Sequence, residues 1–115
     1  MQFTQQELND LIGQPGSPQL SGCDLSGARI SGRHMIGADM SDANLTDASL
    51  DGAYLKNANL SGADLTSANL TNADLSGANL SNAKLINARL VRANLKGANL
   101  DNADFTGADM LGVER

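Results

Sequence analysis

Residues 38–82 read ADMSD ANLTD ASLDG AYLKN ANLSG ADLTS ANLTN ADLSG ANLSN. Every third residue of each block is Leu or Met, and every first residue is Ala. The pattern extends in both directions. From Leu20 to Met110 every fifth residue is large and apolar, giving (110 − 20)/5 + 1 = 19 positions: Leu20, Leu25, Ile30, Met35, Met40, twelve leucines from Leu45 to Leu100, Phe105 and Met110. Two residues before each of these centres lies a small residue, Ala in sixteen cases, with Pro18, Cys23 and Arg33 as the departures.

A period of five belongs to neither a helix nor a strand. Five residues advance an α-helix by about 500°, which scatters the leucines around it. An extended strand sends alternate leucines to opposite faces. The chain must therefore turn once per repeat. Two residues after the centre come ten Gly, five Asn, two Asp, one Ser and one Arg. Gly and Asn tolerate the positive φ that the third position of a type II turn requires. Each repeat thus reads as a short extended segment with one large and one small inward side chain, followed by a corner. The residue before the centre is Asn or Asp in twelve repeats, and the residue after it is Ser or Thr in eleven.

The motif Ala-(Asp/Asn)-Leu-(Ser/Thr)-(Gly/Asn), carried from Pro18 to Gly112, resembles that of the pentapeptide-repeat proteins. The resemblance implies an all-β fold, a right-handed quadrilateral β-helix in which four repeats make one coil. Nineteen repeats over four walls make about 4.75 coils, stacked about 4.8 Å apart like neighbouring strands. Residues twenty apart then lie one above another. Leu45, Leu65, Leu85 and Phe105 form an internal column, and outside it Asn59, Asn79 and Asn99 and Ser21, Ser41, Ser61 and Ser81 are expected to form hydrogen-bonded ladders between coils.

Two segments are expected: an N-terminal capping helix and turn over residues 1–17, and the β-helix over 18–115. Thr4 and Glu7 fit a capping box, with Phe3 and Leu8 as the hydrophobic staple around it. Leu8, Leu11 and Ile12 give an apolar face, and Gly13 is placed to close the helix. No comparable cap is legible after Gly112, so a homodimer through that end is expected as one way of covering Phe105, Met110, Leu111 and Val113.

Composition excludes several functions. Aromatic residues are only 3 % and Trp is absent, so the core is assembled from many small, similar pieces. A net charge of −5 argues against direct nucleic-acid binding. One cysteine allows neither an internal disulfide nor a multi-cysteine metal site. No segment is long enough to cross a membrane as a helix, and a cytoplasmic location is expected. Catalysis needs converging reactive groups in a cleft. A filled solenoid offers none, and no phosphate, metal or nucleophile motif is present. No catalytic residue, cofactor or metal is expected, and the function expected is a structural or protein-binding one.

Individual residues fit this reading. His34 should stack outside, beneath Tyr54. Cys23 should pack in a small inward slot. Arg33, too long and charged for that slot, should snorkel out beside the capping helix. Between Ser76 and Leu100 there is no acid, and Lys84, Arg89, Arg92 and Lys96 ring the outward apolar residues Ile86 and Val91, with Leu111 one coil on. These seven residues are the candidate protein-binding patch. Their charges can also be neutralised by Asp64, Asp104 and Asp109 on adjacent coils. Acidic residues Asp39, Asp42, Asp47, Asp51, Asp64 and Asp74 fill the two coils before. Some pentapeptide-repeat proteins mimic DNA and inhibit DNA gyrase, a type II topoisomerase. That is the alternative function, and the basic fourth coil interrupts the acidic surface it would need.

Overall fold

The computed structural model describes residues 1–115: one helix, α1 (Gln5–Ile12), and a rod of stacked square coils. The rod is held by sixteen parallel bridges, every one between residues twenty apart, from Gln19–Asp39 to Asn94–Glu114. Four pentads therefore close one coil. The first wall carries Leu20, Met40, Leu60, Leu80 and Leu100. The second begins at Leu25, the third at Ile30 and the fourth at Met35.

All nineteen corner residues have positive φ, between 57° and 71°, including nine that are not glycine. Across each corner the small residue's N–H returns to the carbonyl of the preceding centre, as in Ala63 N to Leu60 O at 3.1 Å. Positive φ at the third position together with that bond is the signature of a type II turn. Some corners need glycine for a second reason. At Gly62, a Cβ would collide with the Asp42 carboxylate, which folds over the corner from the coil before.

In an interior pentad with Asn or Asp before its centre every backbone N–H has a partner, as residues 63–67 illustrate. Asp64 N donates back one coil to Ala43 O at 3.0 Å. Leu65 N and Ser67 N donate forward to Lys84 O and Ile86 O at 2.7 and 2.9 Å. Ala63 N closes the turn. The fifth, Thr66 N, has no backbone acceptor within reach and bonds instead to Asp64 Oδ1 at 3.0 Å. The same side-chain bond occurs at all twelve repeats whose residue before the centre is Asn or Asp. A carboxylate or amide oxygen at that position completes what the backbone leaves unpaired.

This changes the expected role of the asparagines. Asn59, Asn79 and Asn99 do stack by register, but each Oδ1 is turned into its own repeat, toward the N–H two residues on. No amide ladder runs between them. Of the serine column, only Ser21 and Ser41 are joined directly, at 2.8 Å between hydroxyls. Ser61 Oγ is bonded to Asn59 Oδ1 in its own repeat.

The interior is solid. Centres from Leu20 to Leu95 are buried with their alanines, and no buried side-chain polar atom lacks a partner. Burying each such leucine contributes ~1.5–3 kcal/mol. The first coil is roofed by α1, which packs Leu8 and Ile12 onto it. The Thr4–Glu7 capping box forms in both directions, Glu7 N to Thr4 Oγ1 at 3.0 Å and Thr4 N to Glu7 Oε1 at 2.8 Å. Phe3 packs against the core. Leu11 does not join the apolar face and is 42 % exposed. Gly13 closes the helix through its N–H to Asn9 O, with an ordinary right-handed φ.

Candidate functional site

No cleft or cavity opens on this molecule, and no cluster of His, Cys, Asp or Glu is placed to hold a metal ion. Whatever the protein recognises must meet its outer walls or its ends.

The seven candidate patch residues all lie on the fourth coil and the one after it, but they do not form one flat surface. Lys84 stands on the second wall, and Ile86 forms the corner after it. Arg89 stands on the third wall. Val91 and Arg92 form the next corner, with Leu111 above Val91. Lys96 is on the corner after the fourth wall. The tightest grouping is therefore the Val91–Arg92 corner, where Leu111 is 72 % exposed and Val91 is partly covered. Arg92 Nε donates across coils to Asn72 Oδ1 at 3.0 Å, which holds the guanidinium along the corner. Lys96 is taken up by Glu114, 3.3 Å away on the next coil. Lys84 and Arg89 make no ion pair with Asp64, Asp104 or Asp109, and the cross-coil ion pair that does form, Lys96–Glu114, joins residues for which none was expected.

Ile86 and Val91 share a local cause. Each follows a residue, Lys84 or Arg89, that cannot accept a hydrogen bond, so neither N–H has a partner. Ile36, 50 % exposed, also has an unbonded N–H; it stands two residues after His34, whose ring is turned onto Tyr54. His34 itself stacks on Tyr54 with ring centroids 4.6 Å apart and planes 12° from parallel, on the fourth wall as expected. Cys23 is partly buried against the core, and Arg33 leans out to the capping helix, donating to Asn9 Oδ1 at 3.2 Å and Asn9 O at 3.4 Å.

The acids carry their own electrostatic signature. Asp24, Asp39, Asp74 and Asp104 have pKa values lowered below the ordinary carboxylate range. The largest cause in each is the hydroxyl of the Ser or Thr two residues on, followed by that residue's N–H. Both donate to the charged form. Lys56 adds to the effect at Asp74 and Lys84 at Asp104.

The two ends differ. At the first coil, Gln2 and Gln5 occupy backbone groups that would otherwise be open. Gln2 N donates to Asp24 O at 2.9 Å while Asp24 N donates to Gln2 Oε1 at 2.7 Å. Gln5 Nε2 donates to Arg29 O at 2.8 Å while Arg29 N donates to Gln5 Oε1 at 2.9 Å. Sequence reasoning placed a helix here but missed these glutamines, whose partners lie 22 and 24 residues away. At the other edge, Leu100, Phe105 and Met110 are only partly buried and their N–H groups are unbonded.

Comparison with known proteins agrees with this geometry. No curated protein matches the chain in sequence. Among solved structures, a pentapeptide repeat protein of the Arabidopsis thaliana thylakoid lumen is 34 % identical, with a TM-score of 0.80, over 98 % of this chain and 70 % of that one. A pentapeptide repeat protein from Nostoc PCC 7120 is 29 % identical, with a TM-score of 0.57, over 95 % of this chain and 93 % of that one. The family profile for pentapeptide repeats matches in eight copies over residues 23–62, 43–82 and 73–112. The chain belongs to the pentapeptide-repeat family, with its right-handed β-helix fold.

Proposed function

We propose that this protein is a non-enzymatic binding module, and that the edge of its last coil joins it to a second copy in a homodimer. The observation that carries the reading is where the molecule keeps its unsatisfied groups. Its interior is filled and has no cleft in which reacting groups could converge, whereas the last coil leaves half-buried Leu100, Phe105 and Met110 beside free backbone N–H groups. An exposed sheet edge with apolar side chains favours pairing with another chain. Two copies meeting by the same edge form a closed, two-fold contact. The Arg89–Val91–Arg92–Leu111 corner is a second surface, suited by its charge to an acidic protein.

Light scattering after gel filtration over a range of concentrations tests the homodimer. A mass of twice 11.9 kDa is expected, falling to the monomer in Met110→Lys. A monomer at every concentration would remove the homodimer from the proposal.

A further inference from the structure

We propose that the outer side of the Arg89 pentad, on the third wall, is a receptor site for a side-chain carboxylate of an acidic protein segment, which supplies an oxygen that the repeat itself omits. The inference deepens the reading of the Arg89–Arg92 corner as a surface for an acidic protein and rests on it. It does not involve the homodimer.

In twelve repeats the residue before the centre brings a carboxylate or amide oxygen to the outward N–H two residues on. The third wall shows the pattern on both sides of the site. One coil before it, Thr71 N donates to Asn69 Oδ1 at 3.1 Å, and one coil after it, Leu111 N donates to Asp109 Oδ1 at 3.2 Å. Between them Val91 N has no acceptor, and the residue in the acceptor's position is Arg89. An unmet N–H and a cation beside it are complementary to the same group. A carboxylate from outside would accept from Val91 N as Asn69 Oδ1 accepts from Thr71 N, and would neutralise Arg89 in the same contact.

The charges around Val91 are free for this. Arg89 is exposed and forms no ion pair, even with Asp109 one coil on, whose Oδ1 is held by Leu111 N. Arg92 adds a second guanidinium at the corner. Its Nε is bound to Asn72 Oδ1 at 3.0 Å, which fixes the group and leaves its two terminal nitrogens unbonded. Such a planar fork grips a carboxylate through two parallel N–H···O bonds. No acid lies between Ser76 and Leu100 to occupy these donors from within the coil.

Other repeats with an unpaired N–H lack these surroundings. Arg29 is the nearest parallel, since Ser31 N is also unbonded. There the next coil already places the Asp51 carboxylate on Ser31 Oγ, and the corner is Gly32 instead of an arginine. Ile86 N is unbonded beside Lys84, but the charge of Lys84 acts on Asp104 and helps to hold its carboxyl low.

The test is an NMR titration of the full chain with a short acetylated and amidated peptide of alternating alanine and aspartate, and with its asparagine counterpart. The aspartate peptide should move the Val91 amide downfield and slow its exchange with solvent. Ser31 N should not respond, and the asparagine peptide should move neither. Two neutral variants separate charge from the missing oxygen. Arg89→Asn restores an oxygen to Val91 N, as Asn69 does for Thr71. Arg89→Gln does not, as Gln19 leaves Ser21 N unbonded. Both lose the same charge, so the aspartate peptide should bind Arg89→Gln about tenfold more tightly, the worth of one hydrogen bond to a charged group. Equal affinity in the two variants overturns the inference and leaves the acidic-protein reading standing. No binding to the intact chain at millimolar peptide overturns both. Inorganic phosphate that moves the Val91 amide at lower concentration than acetate does would show that the ligand is a phosphate group and not a carboxylate, which also overturns the inference.

Discussion

The pentad is a solution to hydrogen-bond satisfaction as much as to packing. A corner every five residues leaves one N–H, that of the residue after the centre, facing outward with no carbonyl to meet. Asp64 and its eleven equivalents supply the missing oxygen from the side chain. The consequence can be tested at Asn69, whose Oδ1 receives Thr71 N at 3.1 Å and Thr71 Oγ1 at 2.6 Å. Asn69→Ala removes the acceptor and should cost ~1 kcal/mol in denaturant unfolding. Asn69→Asp retains it and should be close to neutral at pH 7. An amide ladder would give the opposite ranking for aspartate, because a carboxylate has no N–H to pass to the next coil. The same bonds set the acid limit of stability. Asp24, Asp39, Asp74 and Asp104 are lowered in the folded state, so the stability they contribute is complete above the unfolded carboxylate value and is lost as pH falls through their lowered values. Melting temperature should therefore drop below about pH 4. Replacing all four by Asn, which keeps each acceptor, should flatten that drop.

At the scale of the elements, the inward positions and the corners were plain in the sequence, because periodicity reports directly which side chains share an environment. All nineteen corner positions selected for Gly, Asn or Asp content have the positive φ expected, even Ser67 and Arg92. The asparagine role was less accessible. Register shows that Asn59 lies under Asn79, but not which way its amide turns; that follows only from counting backbone donors. The helix and its capping box were legible because they are local. The docking of Gln2 and Gln5 on Asp24 and Arg29 was not, because it joins residues with no periodic relation. Leu11 was misassigned because three apolar residues at helical spacing need not all face a roof that is only one helix wide. A further prediction belongs here. Since one coil is twenty residues, excising Leu45–Asp64 should leave a shorter rod that still unfolds cooperatively, with lower stability. Excising Leu45–Ala63 shifts every later leucine out of its inward position and should abolish cooperative unfolding. Circular dichroism melts of the two deletions compare them directly.

The whole molecule, 33 × 22 × 21 Å, is a rod with a filled axis and two unlike ends. Its candidate interaction residues were found in the sequence as a charge band, but the square cross-section distributes them over walls and corners that sequence order does not reveal. That is why Lys84 and Lys96 part company from Val91 and Leu111. The first coil matters for the same geometric reason: a solenoid has no closed edge of its own, and there α1 supplies one. All of this depends on one wall per five residues. Amide hydrogen exchange followed by NMR over Asn44–Leu95 tests it most directly. Protection should recur every five residues, strongest at each centre, corner and small residue and at the residue before the centre, in all interior coils alike. Protection with a period of two, or in continuous helical runs, would contradict the account.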